Sequence, residues 1–290
     1  MRASHLEFRL RMWIQIAIVF LGFWAPWIDA LDFGRHITTL EWLALEISRS
    51  GLIRFAWSTP IVIVAGTLAA AAAMVFRVWG AAYLGYDVVH HAAMQAGSVM
   101  AAGPYRYVRN PLYIGGWFMM AAMSLLMPPT GALLTMVLVT VFYLRLILGE
   151  EAFLGAKLGE PYREYLRAVP RLLPSLRPRL PRAEAKPKWL TAAATEIMPI
   201  GMFLTFACLS WTYNSDAMLW GVLASFVLSM VVRGLMNAPI PTSAFVLVAP
   251  AVWWFAHVPV FRSALIGLGA ALVVYAFMPR RKKQNAAAPL

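Results

Sequence analysis

The chain has 290 residues, a formal net charge of +12, 61% hydrophobic and 13% charged residues, and a mean hydropathy of +0.67. An ordinary soluble domain is about half apolar and a quarter charged, so this composition excludes one, and 12 Trp, 16 Phe and 10 Tyr exclude a solvated disordered chain. The single Cys208 lies in an apolar run, which excludes a disulfide framework and a thiolate metal cage.

A bilayer core of about 30 Å takes roughly 20 helical residues. In chain order, apolar runs of that kind fall at 11–31, 56–79, 111–127, 130–148, 190–212, 216–236, 241–257 and 260–278, predicting an all-α, multi-pass transmembrane bundle of about eight spans. The third and fourth are joined only by Met127-Pro128-Pro129-Thr130-Gly131, a tight helical hairpin, and the last two by a turn around Pro259. Residues 80–110 form a long connection holding His90, His91 and the run Gly103-Pro104-Tyr105-Arg106-Tyr107-Val108-Arg109-Asn110-Pro111. Residues 149–188 form a second. There Leu154, Leu158, Tyr162, Tyr165 and Val169 recur at helical spacing, predicting an interfacial amphipathic segment broken at Gly159-Glu160-Pro161, where Gly suits a helix end and Pro a helix start. From Pro170 onward Pro and Arg dominate, as in a semi-rigid linker. The expected organisation is an N-terminal span and outer segment (1–56), a core (57–175), a Pro/Arg linker (176–189), a four-span extension (190–279) and a basic tail (280–290).

Cytoplasmic flanks retain Lys and Arg. With both termini inside, 21 of the 25 basic residues fall on the cytoplasmic side, ten of them between Arg145 and Lys188, while Arg35, Arg49, Arg54 and Arg262 remain outside. Topology and anionic lipid then account for the basic balance, and nucleic acid is not needed as a partner. The expected location is a bacterial inner membrane.

The third run starts at Pro111 and the fourth ends at Glu150-Glu151, so antiparallel packing brings the two polar ends together on the cytoplasmic face. Carboxylates at a helix C-terminus oppose the dipole, so a cation should compensate: Arg145, Arg106, Arg109 or a cationic ligand. The first amides of the third helix lack partners within it and suit a carboxylate or ribose oxygens. Together these features predict a pocket for a ligand with separate cationic and anionic ends.

The string GPYRYVRNPLYIGG, a span pair, then GEEAFLGAKLGEPYREYLRAVPRLLP resembles the isoprenylcysteine carboxyl methyltransferase family, over about residues 57–175; Arg77-Val78-Trp79-Gly80 fits the same pattern. The resemblance implies an integral-membrane enzyme that binds S-adenosylmethionine without a Rossmann domain. It places Tyr105, Asn110, Pro111, Leu112 and Tyr113 along the cofactor, with backbone of Gly97 to Met100 and His90 as an upstream polar contact. It pairs Glu150 with the methionine ammonium and gives Glu151 a supporting role. Asn110 stands where the family most often has His, which keeps a hydrogen bond and removes an imidazole acid or base. Arg145 lies five residues before Glu150, where a basic residue is usual at four.

Methyl transfer from a sulfonium needs in-line positioning, and a carboxylate acceptor is already ionised near neutral pH. It needs a cationic holder, for which Arg109, Arg145 and Arg171 are the candidates. The expected activity is methylation of a lipophilic acceptor, a carboxylate on a prenyl or lipid-like group entering sideways between spans. The rival readings are a phospholipid or small-lipid N- or O-methyltransferase, an NADPH-dependent membrane reductase, and a non-enzymatic transporter or scaffold. Residue by residue, the plainer readings are snorkelling charges for Glu150 and Glu151, headgroup contact for Arg171, and interfacial polar positions for His90 and His91, with no metal site. Glu196, two turns into the fifth run, is given no role.

Overall fold

The computed structural model describes residues 3–23, 37–84, 102–181, 186–213 and 215–237. His90, His91, Gly97 to Met100, the end of the first expected span and the seventh and eighth spans lie outside the described residues. Two units divide the chain, residues 1–226 and 227–290; of the second, the described part is the end of one helix.

Among the described residues the protein is helical, with no strand. The helices are α1 (His5–Arg9), α2 (Arg11–Phe23), α3 (Thr39–Arg49) and α4 (Phe55–Leu84), then, after a 3-10 turn at Gly103–Arg106, α5 (Pro111–Ser124) and α6 (Pro129–Leu158). They continue with α7 (Glu160–Ala168), α8 (Trp189–Thr195), α9 (Ile197–Thr212) and α10 (Ser215–Asn237). α4 and α6, each of 30 residues, are long and apolar enough to cross a membrane, and α8 with α9 meets the same measure as one span bent by 74°. Two helices, or three with the bent pair, therefore qualify among the described residues, against an expected count of about eight. α5 has only 14 residues because Pro128-Pro129 ends it early and starts α6, whose first position is Pro129.

α4 is central in residues 1–226, packing on α3, α5, α8 and α9, while α6 packs on α2 and α5. One apolar cluster joins Ile63 and Ala70 of α4, Met123 of α5, Ala132 of α6, and Met202, Phe206 and Leu209 of α9. A second joins Phe8, Ile18, Met120, Val139, Phe142 and Leu146. The α5–α6 turn leaves carbonyls that no helix can satisfy. The start of α3 takes them, Thr39 N–H donating to Met127 O at 2.8 Å and Leu40 N–H to Leu125 O at 2.9 Å.

One expectation needs correction. The acidic pair does not end the fourth helix: α6 continues two turns past Glu150 to Leu158, because nothing interrupts it before Gly159-Glu160-Pro161. Gly159 there has φ +66°, a conformation that costs Gly little, and the chain turns into α7. The predicted stripe then closes on itself, Tyr162, Tyr165 and Val169 packing against Leu154 and Leu158. Beyond α7, the Pro/Arg-rich chain runs antiparallel beside the Arg106–Arg109 loop. Arg109 N–H donates to Pro170 O at 2.9 Å, Ser175 N–H to Tyr107 O at 3.0 Å and Arg179 N–H to Arg106 O at 2.9 Å.

Candidate functional site at the start of α5 and the end of α6

α5 begins at Asn110-Pro111. Proline at the first helical position lacks only an N–H that would be unpaired anyway. Asn110 is a residue type that usually caps a helix with its side chain, yet no such cap forms here. Its amide is turned toward α6 and the Pro/Arg-rich chain beyond α7, Nδ2 donating to Arg171 O at 3.2 Å and, at 3.5 Å, to Glu151 Oε1. The amides at the start of α5 are thus left without a side-chain acceptor from Asn110, while Leu112 and Tyr113 keep the chain register expected of them.

The two adjacent carboxylates separate in role, since successive residues point about 100° apart around a helix. Glu151, buried, is held by two arginines. Arg171 Nη2 lies 2.8 Å from Oε2, with Nε at 3.1 Å, and Arg109 Nη1 lies 3.3 Å from Oε1. Glu150 Oε2 accepts a hydrogen bond from Tyr113 Oη at 3.0 Å. Two guanidinium groups thus meet the Glu151 carboxylate, and both carry further N–H donors that an anionic group could accept from.

Arg145 joins neither pair. Its guanidinium grips Glu7 of α1, Nη2 lying 2.9 and 3.0 Å from the two carboxylate oxygens, and its carbonyl accepts from Ala3 N–H at 3.0 Å. The Arg145 hydrogen bond is the main cause that holds the Glu7 carboxyl down at about 2, helped by the Ser4 backbone. Of the three arginines proposed from the sequence as carboxylate holders, the structure brings together Arg109 and Arg171.

Tyr105 sits in the 3-10 turn, 8% exposed, and α7 braces it: Tyr165 Oη donates to Tyr105 O at 3.0 Å. Burial pushes the Tyr105 phenol up, and Tyr165, Glu150 and Glu196 nearby push it further, so it remains an O–H donor at any physiological pH. Its Oη and the Nε of Arg109 are buried without a hydrogen-bond partner among the described residues. A buried polar atom left unpaired costs roughly 1–3 kcal/mol. Two such buried donors fit a bound polar ligand.

Sequence reasoning missed one polar centre. Glu196, 0% exposed, takes a forked contact from Arg77 of α4, Nε to Oε2 at 2.6 Å and Nη2 to Oε1 at 2.9 Å. An ionisable residue inside an apolar run was the available signal. Its partner, 119 positions away, carried none.

A helical bundle with two long apolar helices and a buried carboxylate–arginine site is the class that structure defines. Residues 61–160 match the family model PEMT, phospholipid methyltransferase. Over those residues, about a third of the chain, the protein is similar to phospholipid methyltransferases. The match begins within α4 and ends at the start of α7, so it contains Arg77, Tyr105, Arg109, Asn110, Tyr113, Glu150 and Glu151 and leaves out Arg171 and Glu196. No curated protein and no solved structure matches the chain.

Proposed function

We propose that the protein transfers a methyl group from S-adenosylmethionine to the polar end of a lipophilic acceptor at the face where α5 starts. The observation that carries this reading is the pair of buried donors without a partner among the described residues, Tyr105 Oη and Arg109 Nε, inside the segment that matches a methyltransferase family. The residues fit the cofactor. Glu150 supplies a carboxylate for its ammonium, the first amides of α5 (after Pro111, those of Leu112 and Tyr113) suit its carboxylate or ribose oxygens, and Tyr105 donates from a neutral phenol. Bound there, S-adenosylmethionine supplies a methyl on a sulfonium sulfur; the S–C bond breaks as a bond to the acceptor forms, and sulfur leaves as a neutral thioether.

For a carboxylate on a prenyl or lipid-like group, no proton has to move. Arg109 and Arg171 hold the anion, and the Glu151 carboxylate, which Asn110 also reaches, keeps the two guanidinium groups oriented. Arg145 is a weaker candidate for that role, since Glu7 occupies it. A second reading is favoured by the description of the matching family: a phospholipid amine is the acceptor, its phosphate sits on the same two arginines, and its proton leaves to a base before transfer. On either reading the site faces the cytoplasm of a bacterial inner membrane, with both termini on that side, as the distribution of Lys and Arg supports.

The test is incubation of the purified protein with methyl-labelled cofactor and a bacterial lipid extract, followed by mass spectrometry. Label released by mild base indicates a methyl ester; base-stable label indicates N-methylation. Absence of label from every lipid class, with S-adenosylhomocysteine binding intact, overturns a lipid acceptor.

A further inference from the structure

Helices α4 and α9 run antiparallel and touch along their length, Thr67 Oγ1 lying 2.9 Å from Ser210 Oγ and Phe206 packing with Ile63 and Ala70 in one cluster. The second helix breaks between α8 and α9, and both pieces pack on α4. Pro199 has no N–H to offer the Thr195 carbonyl and its ring crowds that carbonyl, so Glu196 leaves helical geometry at φ −109° and ψ 35° and α8 bends from α9 by 74°. The elbow so formed leaves, against α4, an open groove of about 460 Å³ lined by Met74, Val75, Val78, Trp79, Trp189 and Ile200. Every lining residue is apolar or aromatic.

The elbow is held in place by charge. The Arg77–Glu196 fork pins it to α4, and Lys188 N–H donates to Ala82 O at 2.8 Å at its upper end. Arg77 is itself confined against α5: a Cβ on Gly115 would lie 2.6 Å from Arg77 Cγ. The groove is therefore a formed feature of the fold, within the range of about 300–1,000 Å³ typical of ligand pockets.

We propose that this groove holds one hydrocarbon chain of the methyl acceptor, so that the part of the chain beyond the family-matched segment selects the lipid. The proposal rests on the methyltransferase reading above. Three observations choose the occupant. The groove lies on α4, a helix fit to cross a membrane, and Met74, Val78, Val75 and Trp79 form a stripe at i,i+4 spacing along it. Trp79 and Trp189 mark one end, where indoles favour the boundary between hydrocarbon and water; Trp189 reaches Tyr83 there, while Met74 lies about a turn deeper. At that same end Trp79 contacts Tyr107, with ring centroids 5.8 Å apart, and Tyr107 is two residues from Arg109. A chain lying with its tail at Met74 thus presents its polar end to the loop that carries Tyr105 and Arg109. Acceptor specificity would then depend on Trp189 and Ile200.

The experiment uses the full protein in detergent and palmitic acid carrying a diazirine in its chain. After photolysis, labelled peptides are mapped by mass spectrometry, with Val64 and Leu68 of α4 and Leu133 and Val137 of α6, which are exposed at least as much as the groove residues, as the measure of indiscriminate lipid contact. The expected result is label concentrated at Met74–Trp79 and Trp189–Ile200, and a loss of about tenfold at Met74–Trp79 in Ile200→Trp, which fills the elbow. Label spread evenly over the control positions, or unchanged at Met74–Trp79 in that variant, overturns the proposal. Should Ile200→Trp fail to fold, Val75→Trp narrows the same groove from a position 51% exposed, where added bulk is tolerated. S-adenosylhomocysteine binding, measured in parallel, separates the two readings: its absence from the wild-type protein overturns the methyltransferase site, whereas uniform label with binding intact overturns the groove alone.

Discussion

Glu151 and Glu196 are both buried carboxylates gripped by arginine, yet their surroundings differ. Glu196 meets one arginine in a closed fork. Glu151 meets two, with Arg109 Nε, and Tyr105 Oη in the loop that Arg109 closes, without a partner among the described residues. A satisfied pair deep in a protein pins helices; one with orphan donors near it is incomplete until a ligand arrives. Hydrogen-bond satisfaction, rather than burial, separates the pin from the site.

The sharpest way to break that distinction is to remove one partner from each. Arg77→Ala leaves Glu196 buried without its cation, and such a loss costs about 3–5 kcal/mol; the expected outcome is a large fall in thermal midpoint in detergent, with most of it regained in the double variant Arg77→Met with Glu196→Leu. If the double variant is no more stable than the single one, the pair does more than pin. Arg109→Ala, at a residue whose side chain is only 11% exposed, should cost less stability, about 1–3 kcal/mol, because Arg171 still covers Glu151. It should also abolish methyl transfer, measured with the lipid extract, and activity near wild type would contradict its placement in the site.

Some of this was legible in the sequence. Asn110-Pro111 predicted the start of α5, and Gly159-Glu160-Pro161 the corner between α6 and α7, because Pro and Gly act through local backbone geometry. The Leu154, Leu158, Tyr162, Tyr165, Val169 stripe predicted an interfacial amphipathic segment, and in the structure its residues pack on one another. Long-range choices were not legible. Nothing in residue spacing says that Arg171 reaches back 20 positions to Glu151, that Arg145 turns to Glu7, or that the apolar run 190–212 folds into an elbow. The end of the fourth helix was placed too early because charge was taken as a stop, whereas Glu and Lys are good helix formers and only Gly159 halts the helix.

A smaller effect tests the third carboxylate–arginine contact, Glu7 with Arg145, which is partly exposed. With the Glu7 carboxyl held down at about 2, below the ordinary 4.5, the pair's contribution is complete above about pH 4.5 and fades as pH falls toward 2. At a partly exposed pair it amounts to under about 1 kcal/mol. Glu7→Gln should therefore flatten the acid side of the stability curve slightly and leave S-adenosylhomocysteine affinity unchanged. A loss of affinity there would bring α1 and Arg145 back into the site.

The central claim is that the polar cluster at the start of α5 and the end of α6 is a cofactor site, and calorimetric titration of S-adenosylhomocysteine into wild-type and Glu150→Gln protein tests it most directly. Glu150→Gln keeps size and a hydrogen bond from Tyr113 while removing the charge that would meet the ammonium; a charged hydrogen bond is worth about 1.5–3 kcal/mol. The account predicts tight binding to the wild type and a drop of about tenfold to a hundredfold in the variant. Equal affinity in the two proteins would contradict it.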